Sequence, residues 1–174
     1  MAFKENKMKV NVKKLDSNAV IPTYAKHGDA GMDLTAVSKE YDEHGNVCYG
    51  TGLAFEIPNG FVGLLFPRSS NTKKDLILGN SVGVTDSGYR GEVVLKFKCS
   101  LKLKPHYHAI NTMEAALPEF QEEYSIGDRI GQIVIIPVPQ IEFNVVDELS
   151  TTDRGVGGFG STDPVTSAIE SNCE

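Results

Sequence analysis

Seven short β-rich runs, at residues 10–15, 52–57, 61–66, 76–78, 93–99, 130–138 and 141–146, are separated by turn residues, and almost nothing between them has the length or period of a helix. A chain punctuated this way buries apolar surface by laying short strands into packed sheets, which predicts an all-β sandwich, jelly roll or barrel. The fifth run shows the period most plainly. Val93, Leu95, Phe97 and Cys99 alternate with Val94, Lys96 and Lys98, one face for a core and one for water. Pro58-Asn59-Gly60 and Gly79-Asn80 supply turn chemistry between runs. A length of 174 residues with 40% hydrophobic content is enough for one such core.

Net charge limits the partners. At −6 the chain has no overall attraction for nucleic acid or an anionic membrane, so phosphate binding must come from local basic residues and points to a small anionic ligand. No run approaches a membrane span, and Met1 to Lys7 lack the apolar stretch of a signal peptide, so a cytoplasmic protein is expected. Cys48, Cys99 and Cys173 are odd in number and widely spaced, which suggests neither a disulfide framework nor a zinc site; Cys99 is expected in the core.

One segment breaks the strand pattern. In "NTMEAALPEFQEEY", Asn111 and Glu114 suit a capping box, and Met113, Leu117, Phe120 and Tyr124 fall on one helical stripe interrupted by Pro118. Residues 101–125 are therefore expected to project from the β-domain as a short helical insertion. His106 and His108 make at most a weak metal site, having no carboxylate or cysteine nearby in sequence.

Five polar clusters remain that a β-core does not require: "DAGMDL" (29–34), "PRSSNTKK" (67–74), "GVTDSGYRGE" (83–92), "GDRIGQ" (127–132) and "RGVGGFGST" (154–162). The last satisfies G-x-G-x-x-G literally, but only 14 residues follow Gly160, too few for a dinucleotide-binding unit, and no Gly-Lys-Ser/Thr is present for a Walker loop. It reads as an arm whose amides, hydroxyls and Arg154 can close over an anion, or as a plain glycine tail. Singly, each of the other four is more often a turn.

In this order and spacing the clusters resemble the five motifs of the trimeric dUTPases, and the likeness runs from about residue 8 to 163. It implies a jelly-roll β-barrel acting as a homotrimer, a domain over 1–150 with a closing arm over 151–174, and Mg²⁺-dependent hydrolysis of dUTP to dUMP and pyrophosphate. Residue by residue, it makes Asp86 the group that activates the attacking water, as in-line attack at the α-phosphorus needs a carboxylate within reach of that water. Tyr89 packs on the deoxyribose and excludes a 2′-hydroxyl. Asn80 and the backbone near Gly83 read uracil, where a wrong base would leave polar groups unpaired. Arg68, Ser69, Ser70 and Gln132 contact the phosphates. Asp33 supports the metal's waters or the neighbouring arginines rather than ligating directly, so the metal is carried mainly by the triphosphate. Arg154, Ser161 and Thr162 meet the γ-phosphate, Phe159 stacks over uracil, and Gly160 permits close approach. Asp29 is left as a turn residue, and Lys73 and Lys74 as a solvated basic face.

Ser70, Thr85 and Asp163 depart from the commonest family pattern without removing a catalytic group; Asp163 adds negative charge at the γ-phosphate end. The connection from Glu92 to Ile126 is 35 residues, roughly twice the family's usual length, and this matches dUTPases of staphylococcal and related phages. There the resemblance implies a second role, binding a repressor protein through the insertion, here 101–125 with Tyr107, His108 and Tyr124. The alternatives are a tolerated surface insertion, a dCTP deaminase of the same fold, or a partner-binding module on a dead scaffold.

Overall fold

The computed structural model describes residues 8–99 and 122–158. In chain order the strands are β1 Asn11–Lys14, β2 Met32–Thr35, β3 Ser38–Tyr41, β4 Val47–Gly50, β5 Leu53–Glu56, β6 Phe61–Phe66, β7 Leu76–Leu78, β8 Gly83–Thr85, β9 Val94–Cys99 and β10 Arg129–Pro137, with one 3-10 turn at Ser69–Lys73. They form two four-stranded antiparallel sheets, β2-β10-β6-β8 and β3-β4-β9-β7, and a β1-β5 ribbon. The fold is all-β, as the run pattern requires.

The core lies between the sheets. Leu34, Leu65, Ile130 and Ile133 come from one, and Val47, Tyr49, Leu95, Phe97, Leu76 and Leu78 from the other. Each such side chain removed from water stabilises the fold by roughly 1.5–3 kcal/mol. The alternation in β9 is as expected: Leu95 and Phe97 are buried while Val94, Lys96 and Lys98 face out. Cys99 is half-buried against this core.

Four strands carry too little apolar signal to stand out in the sequence. In β2, β3, β4 and β8, polar or small residues such as Lys39, Glu40 and Gly83 interrupt runs of only three or four residues. Conversely, residues 141–146 form no strand: among the described residues the run has no partner to supply the ladder bonds that make a strand. The chain divides into two compact units, residues 1–140 and 141–174.

Tyr124 requires a correction. Residues 122–125 are not helical, and Tyr124 is a core residue, 4% exposed, so it belongs to no exposed stripe. Its ring packs edge-on against Tyr49 and tilted on Phe97, each at 5.9 Å between centroids. Lys74 is corrected with it: rather than facing solvent, its ammonium donates to the Glu123 carbonyl at 3.2 Å and sits 5.5 Å from the Tyr124 ring centroid. Beside them, the Cys99 thiol donates to Glu123 at 3.5 Å, joining the end of β9 to the segment that enters β10. The expected helix, Tyr107 and both histidines of the insertion lie outside the described residues.

Candidate active site

Two clusters of polar side chains are built beside β6, one through β10 and β2 and one through β8. At the C-terminal end of β6, Asp33 on β2 lies across from Gln132 on β10, and Gln132 in turn lies across from Phe66 on β6. The pairing delivers three motifs to one sheet end. Asp33 Oδ1 accepts from Arg68 Nε at 2.7 Å, and Oδ2 accepts from an Arg129 terminal nitrogen at 3.0 Å. One carboxylate thus fixes two cations that would otherwise repel. Arg68 also donates to Ser70 Oγ at 3.2 Å, and Gln132 Nε2 donates to the Pro67 carbonyl at 3.2 Å. Gly31 is required here, because a Cβ at that position would overlap Gln132 Oε1. Ser69 is exposed at the start of the 3-10 turn, beside Arg68.

The second cluster is built on the loop from β7 in one sheet to β8 in the other. Asn80, Gly83 and Tyr89 line a cleft of about 580 Å³ with Leu65, Leu78 and Thr85 among its walls. In the loop from β7 to β8 Ser81 takes a left-handed φ of 61°, a conformation side chains usually avoid, and Val82 N–H closes on the Asn80 carbonyl at 2.6 Å. Asn80 is exposed. Gly83 is buried with Leu65 Cβ only 2.9 Å from where its own Cβ would be, so β8 can approach β6 only with glycine there.

Asp86 opens the turn after β8, exposed, with the Tyr89 N–H donating to its carbonyl at 3.0 Å. The Tyr89 ring lies back over Gly91, where any side chain would overlap it, and its hydroxyl donates to the Glu92 carbonyl at 3.1 Å. That explains the glycine in Tyr-Arg-Gly-Glu. Arg90 ties the same turn by donating to the Ser87 and Tyr89 carbonyls at 2.6 and 3.0 Å, and Glu92 accepts from the Gly52 N–H at 2.7 Å. Arg90 and Glu92 brace the chain around the Asp86 turn and Arg129 shares the Asp33 carboxylate, contacts that motif reading did not assign. Those of Arg90 had a signal in the sequence, since its partners Ser87 and Tyr89 are three residues and one residue away.

The register separates Asp86 from the first cluster. Leu65 pairs with Gly83 and Gly63 with Thr85, so Asp86 lies level with Val62, six residues before Arg68. At about 3.3 Å per residue the separation is about 20 Å. Arg154 lies in the other unit, where Thr152 to Gly157 form successive turns and its Nε donates to the Gly157 carbonyl at 3.0 Å. Phe159, Gly160, Ser161 and Thr162 lie outside the described residues. Asp29 is a turn residue as expected, accepting from the Lys26 N–H at 2.7 Å.

The protein-family model for dUTPase matches residues 17–104 and 119–163. The chain belongs to the dUTPase family. The break between the matched segments falls inside the long connection of this dUTPase, between Glu92 and Ile126. It is 36% identical over 162 residues to the deoxyuridine 5'-triphosphate nucleotidohydrolase of Paraburkholderia phytofirmans, covering 89% of this chain and 98% of the relative. To that of Nautilia profundicola it is 40% identical over 157 residues, covering 89% and 99%. Among solved structures it is similar to a Staphylococcus bacteriophage 80alpha dUTPase with dUpNHpp (TM-score 0.69, 28% identity, 90% and 99% covered). The dUTPase of phage phi11 of S. aureus, described with a species-specific insert, is also similar (TM-score 0.65, 26% identity, 83% and 100% covered).

Among the described residues no group of three or more His, Cys, Asp or Glu converges on one point. Asp33 is committed to two arginines, and Asp86 is exposed at a turn. This donor set fits magnesium brought by a triphosphate, with oxygens from phosphate and water, rather than an all-protein cage.

Proposed function

We propose that this dUTPase assembles each active site from both ends of β6, using different chains of a homotrimer, and hydrolyses dUTP to dUMP and pyrophosphate. The observation that carries the reading is the register that sets Asp86 level with Val62, about 20 Å along β6 from Arg68. One chain cannot hold a nucleotide across that distance, but a cyclic trimer brings the base end of one subunit to the phosphate end of another.

In this reading the Asn80 amide and the backbone of its loop pair with uracil, and Tyr89 closes on the sugar. Arg68, Ser69, Ser70 and Gln132 hold the phosphate chain bent. Asp33 keeps Arg68 and Arg129 aimed at it, so the site is arranged before substrate arrives. The Asp86 carboxylate takes a proton from the water that attacks the α-phosphorus; the bond to the bridging oxygen breaks and pyrophosphate leaves. Magnesium bound with the triphosphate neutralises charge on the phosphate oxygens. Arg154, Phe159, Gly160, Ser161 and Thr162 belong to the arm, residues 151–174, which closes over a neighbouring subunit's site and excludes water. The Asp86 and Tyr89 pair favours this chemistry over the deaminase alternative, since attack on a cytosine ring needs no carboxylate at the α-phosphate.

A second role is confined to the insertion. The 80alpha dUTPase is described as controlling transfer of virulence genes by a G protein-like mechanism. By likeness, a repressor protein would bind here through residues 101–121, the Tyr124 side chain being buried.

The deciding experiment supplies Mg²⁺ with dUTP, dCTP or UTP and measures all products, with Asp86→Asn in parallel. dUMP and pyrophosphate from dUTP alone, lost by about 10²–10⁴ in the variant, support the reading; ammonia from dCTP would replace it.

A further inference from the structure

The phosphate end of the site rests on a residue outside every motif. The 3-10 turn Ser69–Lys73 follows Arg68, which gives it no side-chain cap. Its centre is Asn71, whose N–H donates to the Arg68 carbonyl and whose carbonyl accepts from Lys74 N–H, both at 2.9 Å. The Asn71 amide spans two elements: Nδ2 donates to the Leu76 carbonyl at 2.8 Å, and Oδ1 accepts from the Tyr124 hydroxyl at 3.1 Å. These two bonds fix which way the amide faces. One residue before Asn71, the Ser70 hydroxyl accepts from Arg68 at 3.2 Å, so the same turn carries both the Asn71 anchor and the Arg68 contact.

Tyr124 is itself held from behind. Tyr49 Oη donates to the Tyr124 carbonyl at 3.0 Å and accepts from its N–H at 3.1 Å, and Tyr49 is fully buried. The rings of Tyr49, Phe97 and Tyr124 stand mutually 5.9 Å apart. Phenylalanine would fill the same space. Packing therefore accounts for the ring but not for the hydroxyl, which donates to Asn71 in the turn. Burial pushes the Tyr124 phenol up, so it remains a neutral donor across the working range of pH.

We propose that Tyr124 is a positioning residue for phosphate recognition: its hydroxyl fixes the Asn71 amide, and through it the turn that presents Arg68, Ser69 and Ser70 to the substrate. This rests on the reading of that turn as the phosphate contact. The loop between β7 and β8 that carries Asn80 has none of the bonds described here, so the effect is confined to ligands that carry the leaving phosphates.

The test uses the full-length protein, Tyr124→Phe, Asn71→Ala and the double variant, with inorganic pyrophosphate and dUMP as competing inhibitors in the presence of Mg²⁺. Tyr124→Phe raises KM for dUTP and Ki for pyrophosphate by about 3–10-fold, the loss of one hydrogen bond, and leaves Ki for dUMP within about twofold. Asn71→Ala does the same, and the double variant is no worse than the worse single. An unchanged pyrophosphate Ki in folded Tyr124→Phe overturns the proposal, as does an equal rise in both inhibition constants. If Tyr124→Phe does not fold, Asn71→Ala decides by the same two constants. A wild-type protein that neither hydrolyses dUTP nor binds pyrophosphate overturns the functional reading and this one together.

Discussion

Asp33 holds Arg68 through Nε, at 2.7 Å, and not through the terminal fork of the guanidinium. Of the terminal nitrogens one reaches Ser70. The charge is thus anchored from the side while its outer edge stays directed away from the carboxylate, toward the position assigned to the phosphates.

Asp33→Asn keeps an acceptor but removes the charge shared by Arg68 and Arg129. A charge-assisted bond is worth about 1.5–3 kcal/mol, so kcat/KM falls about 10–100-fold. Asp33→Ala falls further, since two guanidinium groups are left with no counter-ion between them. Steady-state kinetics with dUTP reads both, and equal activity of Asn and wild type would remove Asp33 from the mechanism.

Gly31→Ala places a methyl where Gln132 Oε1 sits. Gln132 must rotate off the Pro67 carbonyl, and its phosphate contact goes with it. KM for dUTP rises about tenfold while the melting temperature changes little, because the displaced group is the end of a flexible side chain. Thermal melting and kinetics on one preparation separate the two effects.

Asp86→Asn and Arg68→Ala are each inactive alone but complement when mixed in one trimer. With random assembly, each interface has about a one-in-four chance of pairing an intact Asp86 with an intact Arg68, so co-expression recovers about a quarter of wild-type activity. Recovery of none places both residues' functions within one chain.

Burial opposes ionisation of Glu123, yet bonds from Lys39 at 2.6 Å and Tyr41 at 2.7 Å outweigh it and hold its carboxyl below the usual range. Lys39 is raised in return, chiefly by its bond to Glu123. A depressed carboxyl stabilises the fold above its ordinary pKa, near 4.3, and loses that contribution as pH falls through the lower native value. A raised ammonium stabilises below 10.5 and loses it as pH rises through the higher native value. Glu123→Gln is therefore less stable than wild type at pH 7, by about 1 kcal/mol or less given partial exposure, and the two converge in acid. Urea unfolding from pH 3 to 8 checks this; a gap that widens in acid contradicts it.

The sheet architecture could be read because β6, β9 and β10 carry long apolar patterns, and the site because its motifs are short, polar and placed at strand ends. Tyr124 misled because a tyrosine four residues after Phe120 fits a helical stripe as well as it fits a core, and spacing contains no term for what lies across from it. Residues 141–146 misled in the opposite sense: Ile141, Phe143 and Val145 alternate like a strand, but a strand needs another to pair with. Arg129 escaped notice because its partner, Asp33, becomes a neighbour only once the chain folds.

The Cys99 thiol and the Glu123 carboxylate meet at 3.5 Å where the long connection leaves and rejoins the sheet. Closing a loop already pinned at its base costs little more as the loop grows, only about 0.6 kcal/mol for each doubling of its length. The clasp therefore works as a socket: sequence between its two ends can be lengthened, exchanged or captured from elsewhere over evolutionary time, while the sheets and both halves of the site keep their own selection.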